Sequence, residues 1–330
     1  MGSPALQRPD VLVLAGGGIV GEAWMHGVLA GLEDATGADF TTTEAFVGTS
    51  AGSIVAARLT AGRRPPRPDA GGAGRAAPGP EPAVEAGADG GDGGGGDGGD
   101  GGSEVGGLLH AAKGAARDAA RVGWALSAPL TGAAVTLGAP VGAAARAAVL
   151  GRAASHGRPL HDLHARVARW GARFDGRLRV CAVDRRTGRR VVFGAPGAPP
   201  AAVADAVCAS CAIPWVFAPV AIGEREYVDG GAWSVTNLDA ARAGRGTRIL
   251  CLDPTAGLGG RDRRMAALRG AFRVASGLEV QALARRGAAV QHVAPDDAAA
   301  TAMGTNFMAS ARATPALAAG YVQGRRLGGS

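Results

Sequence analysis

Short unbroken apolar runs alternate along this chain with stretches whose apolar residues recur every three or four positions. VLVLA (11–15) precedes a helical pattern from Glu22 to about Thr36, and AFVG (45–48) precedes another from Ala51 to about Ala61. RLRVCAV and RRVVFG flank DRRTG, which predicts a hairpin. AAVADAVCAS (201–210) reads as a helix, VAIG and EYVD as short strands, TRILCLD and VQHVAP as later strands, and 262–289 as one long helix. Strands alternating with helices predict an α/β fold, a mostly parallel central sheet flanked by helices on both faces. Ligands of such sheets gather at the carboxyl ends of the strands.

Two stretches break the alternation. Residues 62–105, from GRRPPRPDAGG through GGDGGGGDGGDGGSE, bury too little apolar surface to offset their ordering entropy and are expected to be a disordered insertion. They leave 1–61 and 106–330 as the ordered parts. Between Arg121 and Arg146 runs the uncharged stretch VGWALSAPLTGAAVTLGAPVGAAA, long enough for a membrane span. Its prolines Pro129 and Pro140 and its glycines make it a poor span, so 124–145 is expected to be an apolar lid or an interfacial element.

The chain has 330 residues, 47% of them apolar, enough for a sizeable core. Its net charge of +7 understates the folded part, because residues 65–105 carry two arginines against eight acids. Such a basic surface favours anionic partners. The arginines are scattered without aromatic clusters and no nucleic-acid motif is present, so an anionic lipid surface, touched peripherally, is the expected partner and nucleic acid is not. Cys181, Cys208, Cys211 and Cys251 read as buried reduced thiols; the lone CxxC at 208–211 lacks a second pair at zinc spacing. His161 and His164, at i and i+3, are a weak metal pair, and no metal or cofactor is expected. VLVLA runs straight into glycines without a basic region or cleavage site, which reads as a strand and points to the cytoplasm.

The candidate chemistry sits at two strand-to-helix turns. In VLVLAGGGIVGEAWMHG, Gly16, Gly18 and Gly21 satisfy a dinucleotide-binding GxGxxG, with Asp39 near the expected acidic position. The same glycines also suit an oxyanion hole, in which backbone N–H groups approach a ligand that a Cβ would obstruct. The second turn, FVGTSAGSIVAA (46–57), sets Ser50 between Gly48 and Gly52, the outline of a nucleophile elbow. Small flanking residues permit the sharp turn, and the helix N-terminus favours an anionic intermediate.

Two groups could take the Ser50 proton. Asp253 and His292 follow Ser50 in the Asp-then-His order of common serine hydrolases, although an elbow on the second strand is early for that fold. Asp229, in EYVDGGAWSVTN, stands at a strand end before two glycines and has room to meet another side chain. An aspartate near 3.9 is a feeble base, so burial must raise it toward the working pH.

GGGIVG (16–21), GTSAG (48–52), ASCAIPWVFAPV (209–220) and VDGG (228–231), in this order, resemble the patatin-like phospholipase family. The resemblance covers nearly the whole chain apart from the linker and about 106–155, and implies one patatin-like α/β/α domain over 1–61 and 106–330. RRVVFG and the tail GTNFMASARATPALAAGYVQG look like a bacterial subgroup. The resemblance further implies a Ser50–Asp229 dyad without histidine, an oxyanion hole lined by Gly16, Gly17 and Gly18, and hydrolysis of acyl esters of phospholipids or other lipids without a required metal. Many relatives carry Arg or Lys where this chain has Val20, which bears on headgroup preference. A catalytically idle lipid-binding module, and an acyltransferase resolving the same acyl-enzyme with an alcohol, are the other readings of this site.

Overall fold

A computed structural model of the chain describes residues 8–68, 139–152, 157–257, 274 and 276–329. Among these, eight strands form one sheet. β1 (Val11–Leu14), β2 (Ala45–Thr49), β3 (Leu178–Asp184), β7 (Arg248–Leu252) and β8 (Ala289–Val293) are parallel, in the order β3-β2-β1-β7-β8. β4 (Arg190–Phe193), β5 (Val220–Ile222) and β6 (Arg225–Asp229) are antiparallel additions at the β3 end.

The unbroken apolar runs have a simple cause. Leu12, Leu14, Phe46, Leu178, Val180, Leu250 and Leu252 pack into one apolar cluster, while their alternating neighbours Val11, Val13, Val47, Cys181, Ile249 and Cys251 pack into a second. β1, β2, β3 and β7 therefore bury both faces. The first cluster is completed by α1 (Gly18–Thr36), α2 (Ala51–Thr60) and α5 (Val203–Cys211), the second by Leu238 and by Leu283 of α6 (276–285). This is the expected three-layer α/β arrangement.

The remaining described helices are α3 (Ala139–Gly151), α4 (His161–Ala168), α7 (Asp297–Met303) and α8 (Ala313–Gly328). α8 lies in backbone contact with α1: a Cβ on Gly27 or Gly31 would strike the Leu317 and Tyr321 carbonyls, and one on Gly320 or Gly324 those of Trp24 and Val28. Spaced four apart on both helices, these glycines bring the axes close, and Trp24 Nε1 donates to Gln323 Oε1 at 2.9 Å across the seam.

Three boundaries differ from the sequence reading. α1 begins at Gly18 rather than Glu22, because the glycine turn is itself its first turn, packed against Pro254 and Phe307. The helix expected over 262–289 is helical over 276–285 and then turns at Gly287, whose φ of 85° reverses the chain into β8; residues 262–273 lie outside the described residues. Of the expected insertion 62–105, residues 62–68 lie along the body, with Arg64 paired to Asp39 at 2.7 Å and Arg67 to Asp34 at 2.7 Å; the rest lies outside the described residues.

The pairing registers around β3 decide where the site forms. Cys181 faces Thr49 of β2 on one side and Val192 of β4 on the other, and Ala182 faces Asp229 of β6 and Val191 of β4. A strand residue has two edges, so β2 and β6 share the edge of β3 that β4 leaves open. β2 occupies it through Cys181, and β6 returns along the remaining stretch until Asp229 stands beside Ala182. The chain then continues through Gly230, whose Cβ would collide with the Cys181 carbonyl. Gly230→Ala is expected to lower the unfolding free energy by about 3 kcal/mol in urea titrations, the scale of forced overpacking. Gly151→Ala, where a Cβ meets nothing within 4 Å, should stay within about 0.5 kcal/mol of the parent. Equal stability of Gly230→Ala and the parent would contradict the shared-edge register.

Candidate active site

Ser50 follows β2 and caps the start of α2 with φ 50° and ψ −122°, a positive-φ conformation that costs a non-glycine residue energy and is held by its surroundings. The Ser50 amide donates to Ser210 Oγ at 2.8 Å, and its carbonyl accepts from the Ser53 amide at 2.8 Å and the Ser53 hydroxyl at 2.6 Å. A Cβ on Gly48 would sit 2.5 Å from the Ser53 Cα, and one on Gly52 would drive into the Leu14 carbonyl. The two glycines of the elbow are thus required by the tightness of the turn against its own helix and against β1.

Because β2 and β6 meet end to end, Ser50, the residue after Thr49, arrives next to Asp229. The Asp229 side chain is buried, the residue being 2% exposed. Burial pushes its carboxyl up to about 7, while the Gly231 amide, donating to Oδ1 at 2.7 Å, and the hydroxyl of Ser50 act the other way by favouring the carboxylate. The Asp229 amide donates to the Ala212 carbonyl at 3.0 Å, tying the end of β6 to the end of α5.

Ser210 was not singled out in the sequence. Its hydroxyl accepts from Ser50 and donates to the Cys181 carbonyl at 2.6 Å, filling the gap where β2 has ended and β6 has not begun. The legible signal was a small polar residue inside the otherwise apolar AVCASCA; a buried hydroxyl there needs partners.

The glycine turn faces the same point. A Cβ on Gly16 would lie 3.7 Å from the Ser50 Cβ. Of the three expected donors, the Gly16 amide is already engaged with the Val235 carbonyl at 3.0 Å. The Gly17 and Gly18 amides bond to no acceptor among the described residues. Glycine is needed at 17 and 18 for a reason other than ligand access: their Cβ atoms would strike Pro254 and the Phe307 carbonyl. Val20 is buried in the larger apolar cluster and brings no charge to the site.

The other candidates lie apart. Asp253 and His292 do pair, at 3.2 Å, with Asp253 also accepting from the Thr255 amide and hydroxyl. Burial opposes charge on Asp253, yet the His292 and Thr255 hydrogen bonds outweigh it and hold its carboxyl below the ordinary value. His292 is on β8, three strands from β2, roughly 14 Å at the usual spacing, and lines a separate cleft of about 260 Å³ with Ser276, Gly277 and Val280. Asp39 caps its own 3-10 turn through Thr41 and pairs with Arg64. His164 pairs with Asp205 at 3.0 Å. All four cysteines are buried. Of the apolar segment 124–145, residues 124–138 lie outside the described residues. The helix holding 139–145 is docked on the body, where Arg146 donates to the Ala232 and Gly188 carbonyls at 3.0 and 2.7 Å. No helix among the described residues is long and apolar enough to cross a membrane.

A mostly parallel sheet between helix layers, with a strained serine at one strand end and a buried carboxylate beside it, defines an α/β protein. The model of the patatin-like phospholipase family matches residues 136–242, which contain Ser210 and Asp229 and run from α3 past β6, while Ser50 and the glycine turn lie outside that stretch. Over that stretch the chain is similar to the patatin-like phospholipase family. No curated protein matches it.

The raised carboxyl has a consequence for stability. Between its ordinary value of 3.8 and its folded value of about 7, the native state keeps a proton that the unfolded chain has released, so the contribution of Asp229 falls as pH rises through that window. Asp229→Asn removes this penalty. Thermal or urea unfolding should show the variant more stable than the parent by a few kcal/mol at pH 8, the order of about 1.4 kcal/mol per pKa unit, with the gap closing toward pH 4. A gap independent of pH would contradict the raised carboxyl.

Proposed function

We propose that this protein is a serine lipid acyl hydrolase in which Ser50 is the nucleophile and Asp229 its base. The observation that carries this reading is the meeting of a strained serine and a buried carboxylate, raised to about 7, on one edge of β3. Ser50 Oγ attacks the ester carbonyl carbon while its proton passes to Asp229. The free Gly17 and Gly18 amides and the N-terminus of α2 stabilise the negative charge that develops on the carbonyl oxygen. The carbon–oxygen bond to the leaving alcohol then breaks and the alcohol takes the proton from Asp229. Water attacks the acyl-serine, gives its proton to Asp229, and the acid departs as Ser50 regains its hydrogen.

A carboxylate at an ordinary 3.9 would be too weak a base at neutral pH; burial supplies the difference, and the Gly231 amide together with the Ser50 hydroxyl keeps the ionised form accessible. Phospholipids or related acyl esters, approached from a membrane surface on the cytoplasmic side, are the substrates this reading takes from the family match and the basic charge of the chain.

Fluorophosphonate labelling and hydrolysis of a chromogenic acyl ester test the roles together. The parent should label, with a rate that rises through about pH 7 as Asp229 ionises; Ser50→Ala should not label, and Asp229→Asn should react at least about 10²-fold more slowly. Loss of labelling in His292→Ala, with Asp229→Asn unimpaired, would move the base to the Asp253–His292 pair.

A further inference from the structure

We propose that Asn237 is a positioning residue that holds the Ser50 and Asp229 loops in register, with Arg190 fixing the orientation of its amide. The inference rests on the acyl-hydrolase reading above. Asn237 is fully buried, and its φ of 49° puts it in the left-handed region, as at Ser50. Its Nδ2 donates to Thr49 Oγ1 at 3.1 Å, to the Ser234 carbonyl at 2.5 Å and, more weakly, to the Gly230 carbonyl at 3.4 Å. Thr49 immediately precedes Ser50 and Gly230 immediately follows Asp229. One amide therefore touches the chain on both sides of the gap at which β2 and β6 meet.

Arg190 makes that contact directional. A guanidinium can only donate, so the Asn237 atom facing Arg190 Nη1 at 3.0 Å is the oxygen, and the NH2 is turned toward Thr49 and Gly230. Arg190 is in turn held by a two-pronged pair with Asp239, at 2.5 and 2.8 Å, and by the face of Trp233, 5.4 Å from its guanidinium carbon. The side chain must tolerate the left-handed backbone and also donate two hydrogens; asparagine does both, whereas aspartate tolerates the backbone and has no hydrogen to donate.

A turn residue that served stability alone would lower the melting temperature and leave the chemistry as it was. A positioning residue does more. Without the amide the two loops separate, the Ser50 hydroxyl that favours the charged form of Asp229 draws away, and its carboxyl rises further. The test uses the full-length chain, a short acyl ester across pH, and melting temperatures. Asn237→Gly, which suits the backbone but has no amide, should lower kcat by about 10²-fold with KM nearly unchanged, the cost of misplaced reacting groups, and shift the acid limb of kcat/KM to higher pH. Thr49→Val should show a smaller loss in the same direction, Thr49→Ser should recover it, and the double variant Thr49→Val with Asn237→Gly should lose little beyond Asn237→Gly alone. Parental kcat and acid limb in folded Asn237→Gly would overturn the inference; should that variant fail to fold, parental kcat and acid limb in Thr49→Val would do the same. Hydrolysis that survives Ser50→Ala would instead overturn Ser50 as the nucleophile, and this inference with it.

Discussion

The site depends on one constraint of sheet geometry, the sharing of a single edge of β3 by two strands that run toward each other. β2 pairs with β3 through Cys181 and stops; β6 runs back from the far end of β3 and stops at Ala182. Neither strand can lengthen without displacing the other. Each must leave the sheet at the same level, one through the Ser50 elbow and the other through Gly230, and their side chains meet where the backbone of both has turned away. In the usual parallel α/β sheet a strand end faces open solvent or a ligand. Here it faces the end of another strand.

That arrangement explains the electrostatics. The gap lies within the sheet, so the carboxylate placed there is buried and resists ionisation, while the polar groups released by the missing ladder are answered individually by Ser210, Gly231 and Asn237. The balance of burial against the Gly231 amide and the Ser50 hydroxyl leaves Asp229 near 7. The nearby thiol of Cys211 has only the Ser53 hydroxyl, at 3.9 Å, to set against burial and the Asp229 carboxylate, which push it well above its ordinary value. Asp253, equally buried, accepts from His292 and Thr255 and stays ionised. Three buried acidic groups in one fold thus differ by the number and charge of their donors.

The sequence made the strands legible because burial on both faces leaves apolar runs that no loop would carry, as in VLVLA and RILCL. Ser50 and Asp229 were legible because the tight turns beside them admit only glycine at 48, 52 and 230. Other features were hidden for physical reasons. The start of α1 at Gly18 was obscured by the low helix propensity of glycine, which packing against Pro254 and Phe307 overrides. Gly16 read as a free donor because the Val235 carbonyl that takes its amide is more than two hundred residues away. The Asp253–His292 pair kept the expected chain order although the early elbow and the strand position of His292 spoke against it, and strand order, with β1 and β7 interposed, separates it from Ser50. Ser210 and Asn237 carry no motif of their own, since their importance comes from the gap between two strands, which local pattern does not encode.

The central claim is that β2 and β6 bring the Ser50 hydroxyl to a buried Asp229 carboxylate. A carboxyl carbon titration of Asp229 by NMR, in the parent and in Ser50→Ala, measures this directly. The account predicts a midpoint near 7 in the parent and a higher one once the hydroxyl is removed. A midpoint near 4 in both proteins would show a solvated carboxylate out of reach of the serine, and would contradict it.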